Sequence, residues 1–155
     1  MTLLQPLDVP SRTAINEAIT SEIADHVATD HGDTGWLTLP GTPHAALNIV
    51  AQYRVRMGMV QVRFAGTLNS AIAVAADGNM PEHGVGVLPS GARPGGGGMT
   101  VSTVLPVEIS QQIAFALIYN GGSVNLAFAT KLTGGYSFAA GSSIQCNSPL
   151  LTINS

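Results

Sequence analysis

The chain has 155 residues and a formal net charge of −3, and charged side chains make up only 10% of it, against about 25% in an ordinary globular domain. Lys131 is its single lysine. Because binding to a polyanion needs clustered Lys and Arg side chains, this composition argues against nucleic-acid binding. One cysteine, Cys146, excludes an intrachain disulfide. No run of about 18 apolar residues is present, so we expect no membrane insertion.

The first 34 residues differ in pattern from the rest. Residues 1–10 contain two prolines and predict an extended arm. Residues 11–34 predict a helical stem and linker that begins at the N-cap residue Ser11. Apolar side chains recur at every fourth position of this segment; they are Ile15, Ile19, Ile23 and Val27. A lone helix of this length is marginal in water. The stripe therefore packs on its own domain or, as we expect, joins identical chains into a trimer.

From residue 35 to residue 155 the pattern changes to short alternating segments separated by turn residues. One predicted hairpin turns at Gly58, and a second turns at Gly121-Gly122, with Asn120 before it. About seven or eight strands with turns every 8–12 residues predict an antiparallel sandwich or barrel. We expect a mainly β head domain over residues 35–155, an antiparallel jelly-roll-like β-sandwich.

The most unusual segment is VLPSGARPGGGGM, at residues 87–99. Its glycine run is not followed by the Lys-Ser/Thr pair of a phosphate-binding loop, so we interpret the segment as a shaped turn between two strands. The residues that define this turn are Leu88, Pro89, Gly91, Arg93 and Pro94. Gly91 can take a positive φ. Arg93, which precedes a proline, is expected to be extended, with its side chain pointing away from the turn.

The sequence contains no recognisable signature of catalysis or metal binding. The histidines stand at positions 26, 31, 44 and 83, and no pair has the spacing of a zinc site. No Gly-x-Ser-x-Gly nucleophile motif occurs. The only acids after residue 35 are Asp77, Glu82 and Glu108, so a pair of catalytic carboxylates in a polysaccharide-cleaving enzyme is the one enzymatic alternative. We expect no catalytic activity, no cofactor and no bound metal.

Three segments together resemble a known family. They are the Gly35–Trp36 entry, the strand pair from Tyr53 to Gly66, and the Leu-Pro-x-Gly-x-Arg-Pro step at Leu88–Pro94. In this order they are similar to the C-terminal head domain of bacteriophage tail fibres and receptor-binding (minor tail) proteins. The resemblance implies a homotrimer of β-sandwich heads on a stem, assembled in the bacterial cytoplasm, carried on a virion and touching a host-surface glycan. We expect the arm to contact other virion proteins.

In such a head the ligand is expected to bind far from the stem, where loops gather. A loop and a hairpin tip supply our candidate receptor-binding residues: Asp77, Asn79, His83, Tyr119 and Asn120. Tyr119 can stack on a sugar, and the asparagines can bond its hydroxyls. The alternative is that Tyr119 lies in a core or subunit contact and that the asparagines only shape turns. The alternative function is a capsid decoration or head-fibre trimer that docks to the shell through residues 1–10.

Overall fold

A computed structural model of the protein describes Ile15 and residues 32–95, 101–130 and 134–153. The chain divides into two compact units, Met1–Gly32 and Asp33–Ser155. No helix within the described residues has the length and hydropathy needed to cross a membrane.

The predicted trimerising stripe falls almost wholly outside the described residues. Only Ile15 is described, and its side chain is 44% exposed. The other three residues of the stripe and the whole arm of residues 1–10 lie outside the described part of the chain. The helical stem and the arm therefore stay predictions.

The described part of the second unit is mainly β, which confirms that part of the predicted fold class, and its strands form a curled antiparallel sheet. The jelly-roll-like sandwich stays a prediction. The strands are β1 (Leu37–Thr38), β2 (Leu47–Arg56), β3 (Met59–Leu68), β4 (Ile72–Val74), β5 (Asn79–Val87), β6 (Val101–Ile109), β7 (Gln112–Tyr119), β8 (Ser123–Ala129), β9 (Tyr136–Phe138), β10 (Ser143–Asn147) and β11 (Leu151–Thr152). The main sheet has the order β1-β2-β3-β10-β6-β7-β8-β5, with β11 also paired to β3, and β4 and β9 form a separate small sheet.

The last strand of this order, β5, returns to the segment that joins β1 to β2. The backbone N–H of His44 donates to the carbonyl of Gly84 at 2.8 Å, and the N–H of Val87 donates to the carbonyl of Pro40 at 2.7 Å. Gly86 makes this approach possible, because a Cβ at that position would lie 2.6 Å from the side chain of Leu39. These bonds hold the two ends of the curled sheet together.

Alternation along the strands separates a buried face from a solvent-facing one. In β3, Val60, Val62 and Phe64 are at most 1% exposed, while the intervening Gln61 and Arg63 are half-buried on the outer face. The inward residues of the main sheet and of the small sheet pack into one apolar core. Such period-2 burial is expected when one face of a sheet covers a core and the other meets water.

Two hairpins form where the sequence predicts them. At the β2–β3 turn, Met57 and Gly58 both have positive φ, which is the geometry of a type I′ turn. In the β7–β8 hairpin the N–H of Gly122 donates to the carbonyl of Tyr119 at 2.8 Å, so Asn120 and Gly121 are the central residues. Gly122 follows with φ +88°, as in a type I turn closed by a glycine bulge.

The predicted turn at Leu88–Pro94 is present, but two of its details differ from expectation. Ser90–Ala92 form a single 3₁₀ turn. Gly91 therefore does not take a positive φ, and that prediction is wrong. Arg93 is extended as predicted, with φ −84° and ψ 129°. Its side chain does not point away, because its Nε–H donates back to the carbonyl of Leu88 at 3.3 Å and so provides a partner for a backbone acceptor of a fully buried residue.

Candidate functional site

The five candidate receptor-binding residues do not gather in one place. Asn79 begins β5, and Asp77 just before it accepts the backbone N–H of Asn79 at 3.0 Å and its side-chain amide at 2.6 Å. Tyr119 and Asn120 lie at the β7–β8 tip, beside the other end of β5. Eight residue steps along a strand span about 25 Å. The loop and the backbone of the hairpin tip therefore lie at opposite ends of β5, although the Tyr119 side chain reaches back to Glu82, three residues from Asn79.

His83 is buried rather than presented to a ligand. Its side chain is only 7% exposed, and its ring packs edge-on against that of His44, with 4.6 Å between the ring centroids. Its Nδ1 has no hydrogen-bond partner among the described residues. Burial, and secondarily the neighbouring His44, lower the pKa of His83 below its usual value. A neutral His83 therefore belongs to the interior.

Tyr119 is instead the centre of a polar group on the outer face, here called the Tyr119 cluster and made of Tyr119, Glu82 and Asn125. The phenol O–H of Tyr119 donates to Glu82 Oε1, and the amide Nδ2 of Asn125 donates to Glu82 Oε2 at 2.7 Å. The three residues stand on β7, β5 and β8, with β8 in the middle. The hydrogen bond to Glu82, together with partial burial, raises the pKa of Tyr119.

Sequence reasoning missed two of the three members of this cluster. Glu82 was considered only as one acid of a possible catalytic pair, and Asn125 was not singled out. The available signal was that both positions are polar within apolar strands. The pairing of β5 with β8, in which Gly84 lies opposite Asn125, brings these two residues close to Tyr119. No local sequence pattern predicts that pairing.

A second polar group surrounds Trp36 on the outer face of β2 and β3. The Arg63 guanidinium lies 3.9 Å from the Trp36 ring centroid and that of Arg54 lies 5.9 Å from it. Arg63 donates through Nε and Nη2 to Gln52 Oε1 at 3.0 and 2.8 Å. Arg54 forms an ion pair with Asp33. The hydrogen bond that Arg54 donates to Asp33, and secondarily the one from the backbone N–H of Gly35, lower the pKa of Asp33 to about 2.

Beside this group lies a groove of about 900 Å³, here called the outer groove. It exists because β10 pairs with β3 along Ser143–Asn147 but with β6 only at Ile144 and Gln145, so β6 and β3 diverge beyond that point. Its two walls carry outward side chains of β2–β3 and of β6–β7; they are Val50, Gln52 and Arg63 on one side and Pro106, Glu108 and Ile113 on the other.

The floor of the outer groove includes Cys146. This thiol is 5% exposed, and burial raises its pKa to about 12, so it is protonated at neutral pH and a poor nucleophile. Cys146 belongs to the apolar core, where a free cysteine behaves as a small apolar residue. No group of three His, Cys, Asp or Glu side chains that could hold a metal ion occurs in the described ranges.

A scan against protein-family models finds no family that matches this chain, and a search of curated proteins finds no similar sequence. The Tyr119 cluster and the outer groove, which adjoins the group around Trp36, are places where polar and apolar groups meet on the solvent-facing side of the described sheet.

Proposed function

We propose that the protein is a bacteriophage virion protein, a trimeric tail-fibre or receptor-binding (minor tail) protein that attaches to a glycan on the host cell surface. In this proposal residues 35–155 form a jelly-roll-like sandwich head, residues 11–34 form a trimerising helical stem, and residues 1–10 contact other virion proteins. The mainly β, curled antiparallel architecture supports the proposal, because jelly rolls are a common form of capsid and lectin domains.

The segments that resemble the phage head family serve the fold in this chain. Tyr53–Gly66 is the β2–β3 hairpin, Trp36 packs over an arginine of that hairpin, and Leu88–Pro94 is a turn held by its own hydrogen bonds. Their roles support a shared architecture. These segments do not determine the ligand, which is selected by exposed side chains elsewhere on the surface.

The observation that carries the proposal is the Tyr119 cluster. A tyrosine ring offers an apolar face for the C–H side of a sugar, a carboxylate accepts hydrogen bonds from hydroxyls, and a carboxamide both donates and accepts. Here the three groups lie on adjacent strands and are fixed by hydrogen bonds through Glu82. Such preorganisation lowers the entropy cost of binding.

The test is a glycan array probed with the intact protein and with Glu82→Gln and Tyr119→Ala variants. Losing a hydrogen bond to a charged group costs roughly 10- to 100-fold in affinity, so both variants should lose binding by that factor. Asp77→Asn is the matched control, because it removes a carboxylate that lies five residues before Glu82 and contacts Asn79 rather than the cluster, while keeping a side chain that can form the same turn.

Three results would contradict parts of this proposal. Binding of no glycan, or equal binding by all variants, would refute attachment through the cluster. Shortened glycans in the recovered ligand, read by mass spectrometry, would reveal an enzyme. Light scattering should give three chain masses for the intact protein and fewer for an Ile19→Asp, Ile23→Asp double variant. A stable monomer in the intact protein would refute the trimer.

A further inference from the structure

We propose that the outer groove is a second ligand site, separate from the Tyr119 cluster, that binds an acidic stretch of a glycan through Arg63. That the ligand is a glycan rests on the proposed function, whereas its acidic character is inferred from the residues of the groove itself. Its volume of about 900 Å³ falls within the usual range of ligand sites, about 300–1,000 Å³.

Charge is the first argument. The guanidinium of Arg63 hydrogen-bonds only to the neutral amide of Gln52 and stacks on Trp36, and it makes no ion pair with any described residue. Arg54, whose guanidinium lies 5.9 Å from the centroid of the same ring, is already paired with Asp33. The groove thus holds a positioned guanidinium whose charge has no carboxylate partner in the part of the chain that the structure describes, and a guanidinium matches the geometry of carboxylates.

The acid on the opposite wall does not cancel this charge locally. Glu108 Oε2 accepts a hydrogen bond from the Gln145 amide at 2.8 Å, so Glu108 already has a partner on the neighbouring strand β10. No hydrogen bond or ion pair joins Glu108 to Arg63 within the described residues. A ligand carboxylate can therefore meet Arg63 while its hydroxyls meet Glu108.

The remaining lining suits the rest of a sugar chain. Carboxamides, which both donate and accept, line the groove at Gln52, Gln145 and Asn147. Val50 is 69% exposed and Ile113 is 55% exposed, and these apolar groups can cover the C–H faces of sugar rings. Alternating apolar and hydroxyl-binding groups are the complement of a pyranose chain.

The groove and the Tyr119 cluster are separate sites. Ile113 lies near the beginning of β7 and Tyr119 at its end, which is about 20 Å for six residue steps. Substitutions at one site therefore leave the side chains of the other in place, and the two proposals can be tested independently.

The experiment is an NMR titration of the intact, isotope-labelled protein with tetragalacturonate and, separately, with the neutral maltotetraose. The acidic oligosaccharide should shift the side-chain amide resonances of Gln52 and Gln145 and bind at least tenfold more tightly than the neutral one. Arg63→Gln should remove that preference. Arg56→Gln is the matched control, since it deletes an equal charge at the exposed end of β2 and should change little.

A second pair of variants tests the groove without changing charge. Ala65→Trp fills the groove from its exposed position on β3 and should abolish binding, while Ala73→Trp places the same bulk at an exposed position of β4 and should not. Circular dichroism checks that all four variants fold.

The possible failures point to different causes. No shift with tetragalacturonate, or equal affinity for maltotetraose, would overturn the inference. An oligomer that Ala65→Trp dissociates, without any oligosaccharide binding, would make the groove an interface between copies and overturn it as well. If array glycans bind through the Tyr119 cluster but Arg63→Gln changes no affinity, the inference fails while the proposed function stands.

Discussion

Replacing Gly122 by alanine tests how the β7–β8 tip is held against the Leu88–Pro94 turn. Gly122 has φ +88°, and a Cβ there would lie 2.5 Å from the carbonyl oxygen of Leu88 and 2.8 Å from Arg93 Nε. The N–H of Leu88 also donates to the Gly122 carbonyl at 2.8 Å. The alanine methyl therefore cannot be accommodated unless the turn moves away from the tip.

The expected loss of stability combines three effects. An L-residue in the left-handed region costs about 1–2 kcal/mol, and overpacking costs about 1–3 kcal/mol. Reduced freedom of the unfolded chain returns about 0.4–1 kcal/mol. The free energy of unfolding should therefore fall by about 1–4.5 kcal/mol, which moves a urea midpoint by about 0.5–2 M for an m-value near 2 kcal/mol/M.

Gly121→Ala is the control for this measurement. The neighbouring glycine has no atom within 4 Å of an added Cβ and no positive φ, so its substitution should be neutral or slightly stabilising. Equal urea midpoints for the two variants would show that the tip does not rest on the turn, and the packing argument would be refuted.

Three further predictions concern turns and titration. Ser110 and Gln111 both have positive φ at the β6–β7 turn, so an Asn-Gly pair there should raise the unfolding free energy by about 1–2 kcal/mol; an unchanged urea midpoint would contradict this. His83 has a lowered pKa in the folded state, so near pH 6.5, the usual pKa of histidine, the unfolded chain binds more protons than the folded chain. The free energy of unfolding should therefore fall as the pH drops from about 7 towards the folded pKa. His83→Leu should weaken this dependence of the unfolding free energy on pH, and an unchanged dependence in the variant would refute the prediction. An NMR titration of Asp33 should give a pKa of about 2, and this pKa should rise in Arg54→Gln. An unchanged pKa would mean that the ion pair with Arg54 does not lower it.

Local patterns in the sequence were enough to predict the hairpins and the mainly β class. Gly58 and the glycines after Asn120 interrupt alternating segments, and such interruptions have a short-range physical cause. The β6–β7 turn was missed because Ser110 and Gln111 carry no turn signal. Their left-handed backbone is imposed by the pairing of the two strands that they connect.

Features that depend on long-range register could not be predicted in the same way. Between Asn79 and His83 the β5–β8 register shifts, and a shift of one residue moves a side chain to the other face of a sheet. Met80 and His83, which would face opposite sides of a regular strand, are therefore both buried. The outer groove likewise depends on where β10 stops pairing with β6, which the sequence of β10 alone does not reveal.

The geometry of β7 links the two proposed sites and predicts how affinity depends on glycan length. The outward side chains of this strand run from Ile113 through Phe115 and Leu117 to Tyr119, and Phe115 stacks with Phe128 of β8 at 5.2 Å. An acidic oligosaccharide long enough to span about 20 Å can engage the groove and the Tyr119 cluster together, because binding at one site raises the effective concentration at the other.

Affinity measured by calorimetry should therefore rise sharply once galacturonate oligomers reach that length, and the rise should disappear when either Arg63→Gln or Tyr119→Ala is introduced. A smooth increase of affinity with oligomer length that persists in both variants would mean that the sites act separately. The apparent affinity of two independent sites rises only in proportion to the number of sugar units in the oligomer.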